Sequence, residues 1–257
     1  MLSPIEQRIK QKIEAIGTPL KEWDIQINYG IKTGFNEAFI ISGEKRKELI
    51  KQDPNSDEII RPILRGRDIK RYGYDFSDLW LINTHNGVKE KGIKPINADS
   101  YPAIKKHLDK YYTELEKRQD KGDTPYNLRN CAYMEDFYRQ KIVWGNLNLT
   151  AAFSFAPEGM FINAPCSLIV PASNYLLAIL NSKLANYYIR TLGVTRNGGY
   201  FEYKPMFIEK LPIPSINSEI DEKINEILRT KKYEAIDKFV YKLYGLDKDE
   251  LEFIDSQ

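Results

Sequence analysis

The residues best suited to chemistry in this chain are cations, amides and aromatics gathered in a few short stretches. Between Arg61 and Arg71 the order RPILRGRDIKR sets Arg61, Arg65, Arg67, Lys70 and Arg71 against a single acid, Asp68. An arginine fork grips a phosphate or a guanine edge through two parallel hydrogen bonds, and Gly66 lets the backbone approach a groove with no side chain in the way. The same charges also suit a solvated loop whose arginines pair with local carboxylates. A second group is Asn146, Asn148, Arg196, Asn197, Tyr200 and Phe201. It combines amides that can read adenine edges with rings that can pack on sugars or bases. Asn and Gly are equally what a hairpin turn demands.

Other chemistries find little to work with. Glu202-Tyr203-Lys204 is an acid-x-Lys fragment of the kind a metal-dependent nuclease uses, the acid holding Mg²⁺ and the lysine polarising water. In a chain that is 29% charged it reads equally as a strand-surface ion pair. A DNA methyltransferase needs an Asn-Pro-Pro-Tyr type of loop, and no two prolines are adjacent. Lys32-Thr33 lacks the upstream glycines of a phosphate loop, and neither GxGxxG nor GxSxG occurs. His85 and His107 read as solvated or hydrogen-bonded surface histidines, and Cys131 and Cys166, without CxxC spacing, as buried thiols. No catalytic residue, metal site or cofactor is therefore expected in the chain.

Several elements must position these groups. Ser3-Pro4-Ile5-Glu6 predicts a capped helix carrying Ile5, Ile9, Ile13 and Ile16, ended by Gly17 to Pro19. Alternation predicts strands at 23–29 and 37–41 joined by a loop over 30–36, and further strands at 79–83, 141–145, 151–155 and 166–170. Helical spacing predicts helices over 44–52, 101–118 and 177–188, with a glycine-rich loop at 193–201. Leu211-Pro212-Ile213-Pro214 reads as an extended linker leading out of the globular part. Two helical stripes follow, the second stopping at Gly245, and then a capping box from Asp247 to Glu250. The longest apolar runs, such as 175–180, fall far short of the roughly 20 residues of a membrane span, so a cytoplasmic protein with no membrane partner is expected. The net charge of +2 is too small to name a nucleic-acid partner by itself.

The ordered set of motifs resembles the TaqI-like C-terminal specificity domain of type II (IIG-like) restriction-modification methyltransferases. It is carried by GIKTGFNEAF at 30–39, LRGRDIKRY at 64–72, KIVW at 141–144, ILNSKL at 179–184 and LPIP at 211–214. FVYKLYGL at 239–246, followed by Asp249-Glu250, is similar to the ending of the same fused enzymes. The resemblance implies a target-recognition domain that docks on double-stranded DNA beside a methyltransferase, and sometimes a nuclease, in the same polypeptide or complex. S-adenosylmethionine and Mg²⁺ would belong to those other parts alone. It implies three DNA-facing loops, with Lys32, Thr33 and Asn36 in the first, Arg65, Arg67, Lys70 and Arg71 in the second, and Arg196, Asn197, Tyr200 and Phe201 in the third. Gly30, Gly34, Asp68 and Trp144 would be scaffold, with Asp68 orienting an arginine or capping a turn.

The expected architecture is α+β. A target-recognition domain with a mixed or antiparallel sheet occupies 20–214, flanked by an N-terminal helix at 1–19 and a C-terminal helical segment at 215–257. The helices are expected to contact the missing enzyme. Two rival readings are a stand-alone nuclease built on Glu202 and Lys204, and an adaptor whose helices hold a protein partner without touching DNA.

Overall fold

Strand Lys141–Trp144 sets the layout, because all four of its residues are buried. Side chains alternate between the faces of a sheet, so such a strand needs a core on each side. In the computed structural model, which describes residues 2–257, Ile142 and Trp144 join one apolar core and Val143 joins another. The sheet between the cores is antiparallel throughout, in the order Phe153–Ala156, Lys141–Trp144, Ser167–Val170, Gln26–Tyr29. A second sheet runs Phe161–Ile162, Ile60–Leu64, Leu79–Ile82, Ile40–Ser42, its first pair parallel and the others antiparallel. The fold is α+β, with mixed and antiparallel sheets and flanking helices.

Helices cover one side of the first sheet. Asn174–Leu180 and Lys183–Thr191 pack there, and the helices Pro4–Ile16, Ser218–Thr230, Glu234–Leu243 and Lys248–Asp255 add Ile9, Ile13, Ile224, Ile236, Val240 and Ile254 to the same core. The first helix starts at a capping box in which Ser3 Oγ accepts from the Glu6 amide and Glu6 accepts from the Ser3 amide. The last starts the same way at Asp247 and Glu250. Lys12 donates to the buried Glu250 carboxylate at 2.6 Å, joining the two ends of the chain. The second sheet, with the helix Pro102–Asp109, encloses the other core.

Local patterning misplaced several elements. The stretch expected as strand 37–41 is a helical turn, Asn36–Phe39, which buries Ala38 and Phe39 together, followed by strand Ile40–Ser42. The strand expected at 23–29 narrows to Gln26–Tyr29, and that expected at 151–155 shifts to Phe153–Ala156. The helix expected over 101–118 is two, Pro102–Asp109 and Tyr112–Lys117, broken where Lys110 and Tyr111 turn. His107 is no surface residue: it is 6% exposed and bonds the Ala38 carbonyl at 2.9 Å. Pro212-Ile213 is extended but does not lead outward. Both of its residues are buried and pair with Thr18-Pro19 at the edge of the core, so the points where the chain enters and leaves the sheet region lie side by side. Cys166 is buried, as expected, and Cys131 is half-buried.

Candidate nucleic-acid interface

The second loop is built around Asp68. Its carboxylate, 4% exposed, accepts from the Arg65 amide at 2.8 Å, from Arg65 Nε and Nη2 at 3.0 and 2.9 Å, and from Ser77 Oγ at 2.7 Å. Burial alone would raise the Asp68 pKa, but the hydrogen bonds from Arg65 and Ser77 outweigh it and hold the carboxyl below its ordinary value. Arg65 is thus tied to its own loop. Arg61 is tied as well, donating to the carbonyls of Asp57, Glu58 and Ile60. Arg67, Lys70 and Arg71 remain exposed; Lys70 donates to the Arg67 carbonyl, and Arg71 lies 3.8 Å from Asp237.

Two glycines bring this loop to the end of strand Lys141–Trp144. A methyl group on Gly145 would lie 3.0 Å from the Gly66 α-carbon, a tight contact, so the two backbones pass close to each other here. Beyond Gly145 the chain forms Leu147–Asn148, which pairs with Phe201–Glu202 of the third loop. The buried Trp144 indole donates to the Tyr203 carbonyl at 2.7 Å, and Arg190 bonds the Leu149 and Gly199 carbonyls, fixing both strands to the helical core. The result is an open cleft of about 560 Å³. It is lined by Arg67, Lys70 and Arg71 of the second loop together with Asn146, Asn148 and Tyr200.

Within that cleft the residues differ in what they offer. Asn146 and Asn148 are half-buried, Asn146 accepting from Ser167 Oγ and Asn148 donating to the Gly145 carbonyl. Tyr200 is 42% exposed and presents its ring, whereas Phe201 is fully buried and supports the loop from inside instead of offering a stacking face. Arg196 and Asn197 are exposed, but Arg196 pairs with Glu202 at 3.2 Å, and Lys204 pairs with the other Glu202 oxygen at 2.6 Å. Lys204 first and Arg196 second lower the Glu202 pKa.

The first loop lies next to this cleft across Pro165, which borders both hollows. Thr33 is buried, and its hydroxyl bonds Asn36 Oδ1 at 2.6 Å and accepts from the Phe35 amide, so it shapes the turn and positions Asn36. Gly34 takes φ +69°, a conformation glycine adopts without strain. Arg118 fastens the loop from beneath, donating to the carbonyls of Thr33, Asp120, Pro125 and Asn127. Lys32 is exposed and pairs with Asp120 at 2.9 Å; the same carboxylate takes Arg129 at 3.1 Å.

Sequence reasoning missed Arg129, Asn130, Pro165, Leu147 and Leu149 on this face. The two leucines are about half exposed, at 53% and 52%, on the rim of the cleft. Leucine in an Asn-rich turn was the available signal for them. Arg129 and Asn130 fall in a stretch without periodicity, and only the fold carries them to the first loop.

A family model described as the TaqI-like C-terminal specificity domain matches residues 61–213. The chain is 24% identical over 216 residues to the type II methyltransferase M.MjaIV of Methanocaldococcus jannaschii, an alignment covering 79% of this chain and 70% of that one. Its fold is similar to that of the type IIL restriction-modification enzyme MmeI, solved in complex with DNA, with TM-score 0.69 and 14% identity over 92% of this chain. The type IIG restriction endonuclease BpuSI aligns with TM-score 0.54 and 16% identity over 88% of this chain. The match covers 36% of the MmeI chain and 27% of the BpuSI chain.

Proposed function

Because the chain belongs to the TaqI-like C-terminal specificity domain family, we propose that it reads the sequence of double-stranded DNA for a restriction-modification enzyme and is not itself the catalyst. The observation that carries this reading is the single cleft lined by Arg67, Lys70 and Arg71 together with Asn146, Asn148 and Tyr200. Cations at such an edge bind phosphates and set register on the duplex, while an Arg fork on guanine or an amide on adenine supplies base identity. Arg67 is the candidate for base reading, being exposed and without an ion pair among the described residues. Lys70, Arg71 and Lys32 suit phosphates. The saturated Glu202 carboxylate favours an ion-pair role over a nucleolytic one. Methyl transfer and cleavage, with S-adenosylmethionine and Mg²⁺, fall to parts of the same polypeptide or complex. In this arrangement residues 20–214 read DNA, and the helices at 1–19 and 215–257 brace them against the catalytic partner.

Selection from a pool of duplexes with a randomised centre, at low salt, tests the reading. The 257-residue chain should enrich a defined sequence. Arg67→Ala should lower affinity for the enriched duplex about tenfold and relax preference at one base pair. A pool that emerges unenriched, or an Arg67→Ala protein that enriches the same sequence equally well, overturns it.

A further inference from the structure

The tip of the second loop is held in a conformation its own residues disfavour. Ile69-Lys70 pairs with Gly73-Tyr74 in the register Ile69 to Tyr74 and Lys70 to Gly73, leaving Arg71-Tyr72 as a two-residue turn. Tyr72 takes φ +64°, where a β-carbon is crowded and glycine is the usual occupant. A bulky residue persists in that region only when its surroundings over-determine it, and such sites concentrate where geometry matters for function.

Those surroundings come from the C-terminal helical segment. The Tyr72 ring stacks on Tyr233 with centroids 4.0 Å apart and planes at 11°. Tyr233 immediately precedes the helix Glu234–Leu243, and one turn further along it Asp237 lies 3.8 Å from Arg71 while accepting from the Lys183 amide at 2.7 Å. The Arg71 guanidinium in turn lies 5.2 Å from the centre of the Tyr72 ring. The Tyr72 amide is spent on the Phe153 carbonyl at 2.9 Å, and its hydroxyl is buried with no partner. Ring packing, not the phenol, therefore fixes the turn.

We propose that Tyr233 and Asp237 are positioning residues for DNA reading: they clamp the strained Arg71-Tyr72 turn and so fix where Arg67, Lys70 and Arg71 point. The C-terminal helices are then part of the specificity apparatus as well as of the core, and displacement of that segment alters the reading of a surface it does not itself form. This inference rests on the DNA-reading proposal above.

Two measurements on the full chain test it separately from that proposal. The first, hydrogen exchange of the peptide spanning 69–75, needs no DNA. In Tyr233→Ala exchange at the Tyr72 amide should accelerate about tenfold or more, while Tyr233→Phe, which keeps the stack, should match the wild type. Equal exchange in wild type and Tyr233→Ala overturns the clamp whatever the DNA result. The second is selection from the randomised duplexes. Tyr233→Ala should blur the preferred sequence and Tyr233→Phe restore it, with helix content by circular dichroism unchanged in both. Faster exchange with an unblurred preference overturns the positioning role. If exchange accelerates but the wild-type chain enriches no sequence, the DNA reading fails and takes the positioning role with it, leaving a purely structural clamp.

Discussion

The second and third loops are both short, both basic and both built around one carboxylate, yet they dispose of their charge in opposite ways. In the second, Asp68 is nearly inaccessible and consumes a single cation, Arg65, leaving Arg67, Lys70 and Arg71 on the cleft. In the third, Glu202 is 27% exposed and bridges both local cations, Arg196 and Lys204. A buried carboxylate must collect several donors to offset its lost hydration, so it draws on its own backbone and builds the loop. A surface carboxylate has no such demand and neutralises whatever cations reach it. The depth of the acid, more than the number of arginines, separates a loop that presents charge from one that stores it.

The largest expected effect follows from breaking the buried centre. Asp68→Asn keeps the shape but strips the charge from a group holding the Arg65 fork, the Arg65 amide and Ser77; the expected cost is about 2 kcal/mol in urea unfolding. The pH dependence has a definite sign. The folded Asp68 pKa lies below its unfolded value, so the stabilisation is fully present above the unfolded pKa and is lost as pH falls through the folded one. Wild-type stability should therefore decline below about pH 4, and Asp68→Asn should flatten that decline. A variant as stable as wild type, with the same acid limb, removes Asp68 from the foundation of the loop.

Asp68 also marks how far the sequence reached. Its scaffold role came with the family resemblance, whereas the capping boxes at Ser3 and Asp247 were legible from local spacing alone. Local spacing could not show that Pro212-Ile213 pairs with Thr18-Pro19, nor that Arg118 joins three carbonyls of its own segment to the distant Thr33 carbonyl. Phe201 shows the limit within the site itself: aromatic type suggested a stacking ring, while the helical core claims the side chain entirely. Arg67 and Phe201 both lie in loops of suitable composition, and only tertiary packing separates the exposed from the enclosed.

A middle-sized effect should come from Glu202→Gln, which releases Arg196 and Lys204 while retaining a hydrogen-bonding side chain. Affinity for any duplex should rise a few-fold at low salt, and the slope of log affinity against log salt should steepen by about 1 to 2 as the freed cations meet phosphates. The base preference should not sharpen, since phosphate contacts carry no sequence information directly. Unchanged slope and affinity would mean that the third loop lies away from the duplex and that the contrast between the loops has no bearing on DNA.

The first loop decides whether depth is the right variable. Asp120 bridges Lys32 and Arg129 as Glu202 bridges its pair, and its 21% exposure sits closer to Glu202 than to Asp68. Its backbone nonetheless belongs to the framework, because its carbonyl accepts from Arg118. If exposure governs, Asp120→Asn should act as a charge release: unfolding in urea unchanged, and a salt slope steeper by about 1, less than for Glu202 because Arg129 borders a separate hollow with Tyr29 and Tyr133. If the framework role governs, the side chain belongs with Asp68, and the substitution should lower stability and leave the slope alone. The two outcomes separate cleanly in one pair of measurements. The first follows from the physics, because a carboxylate that keeps water on part of its surface has little desolvation to offset and therefore little reason to organise the fold around it.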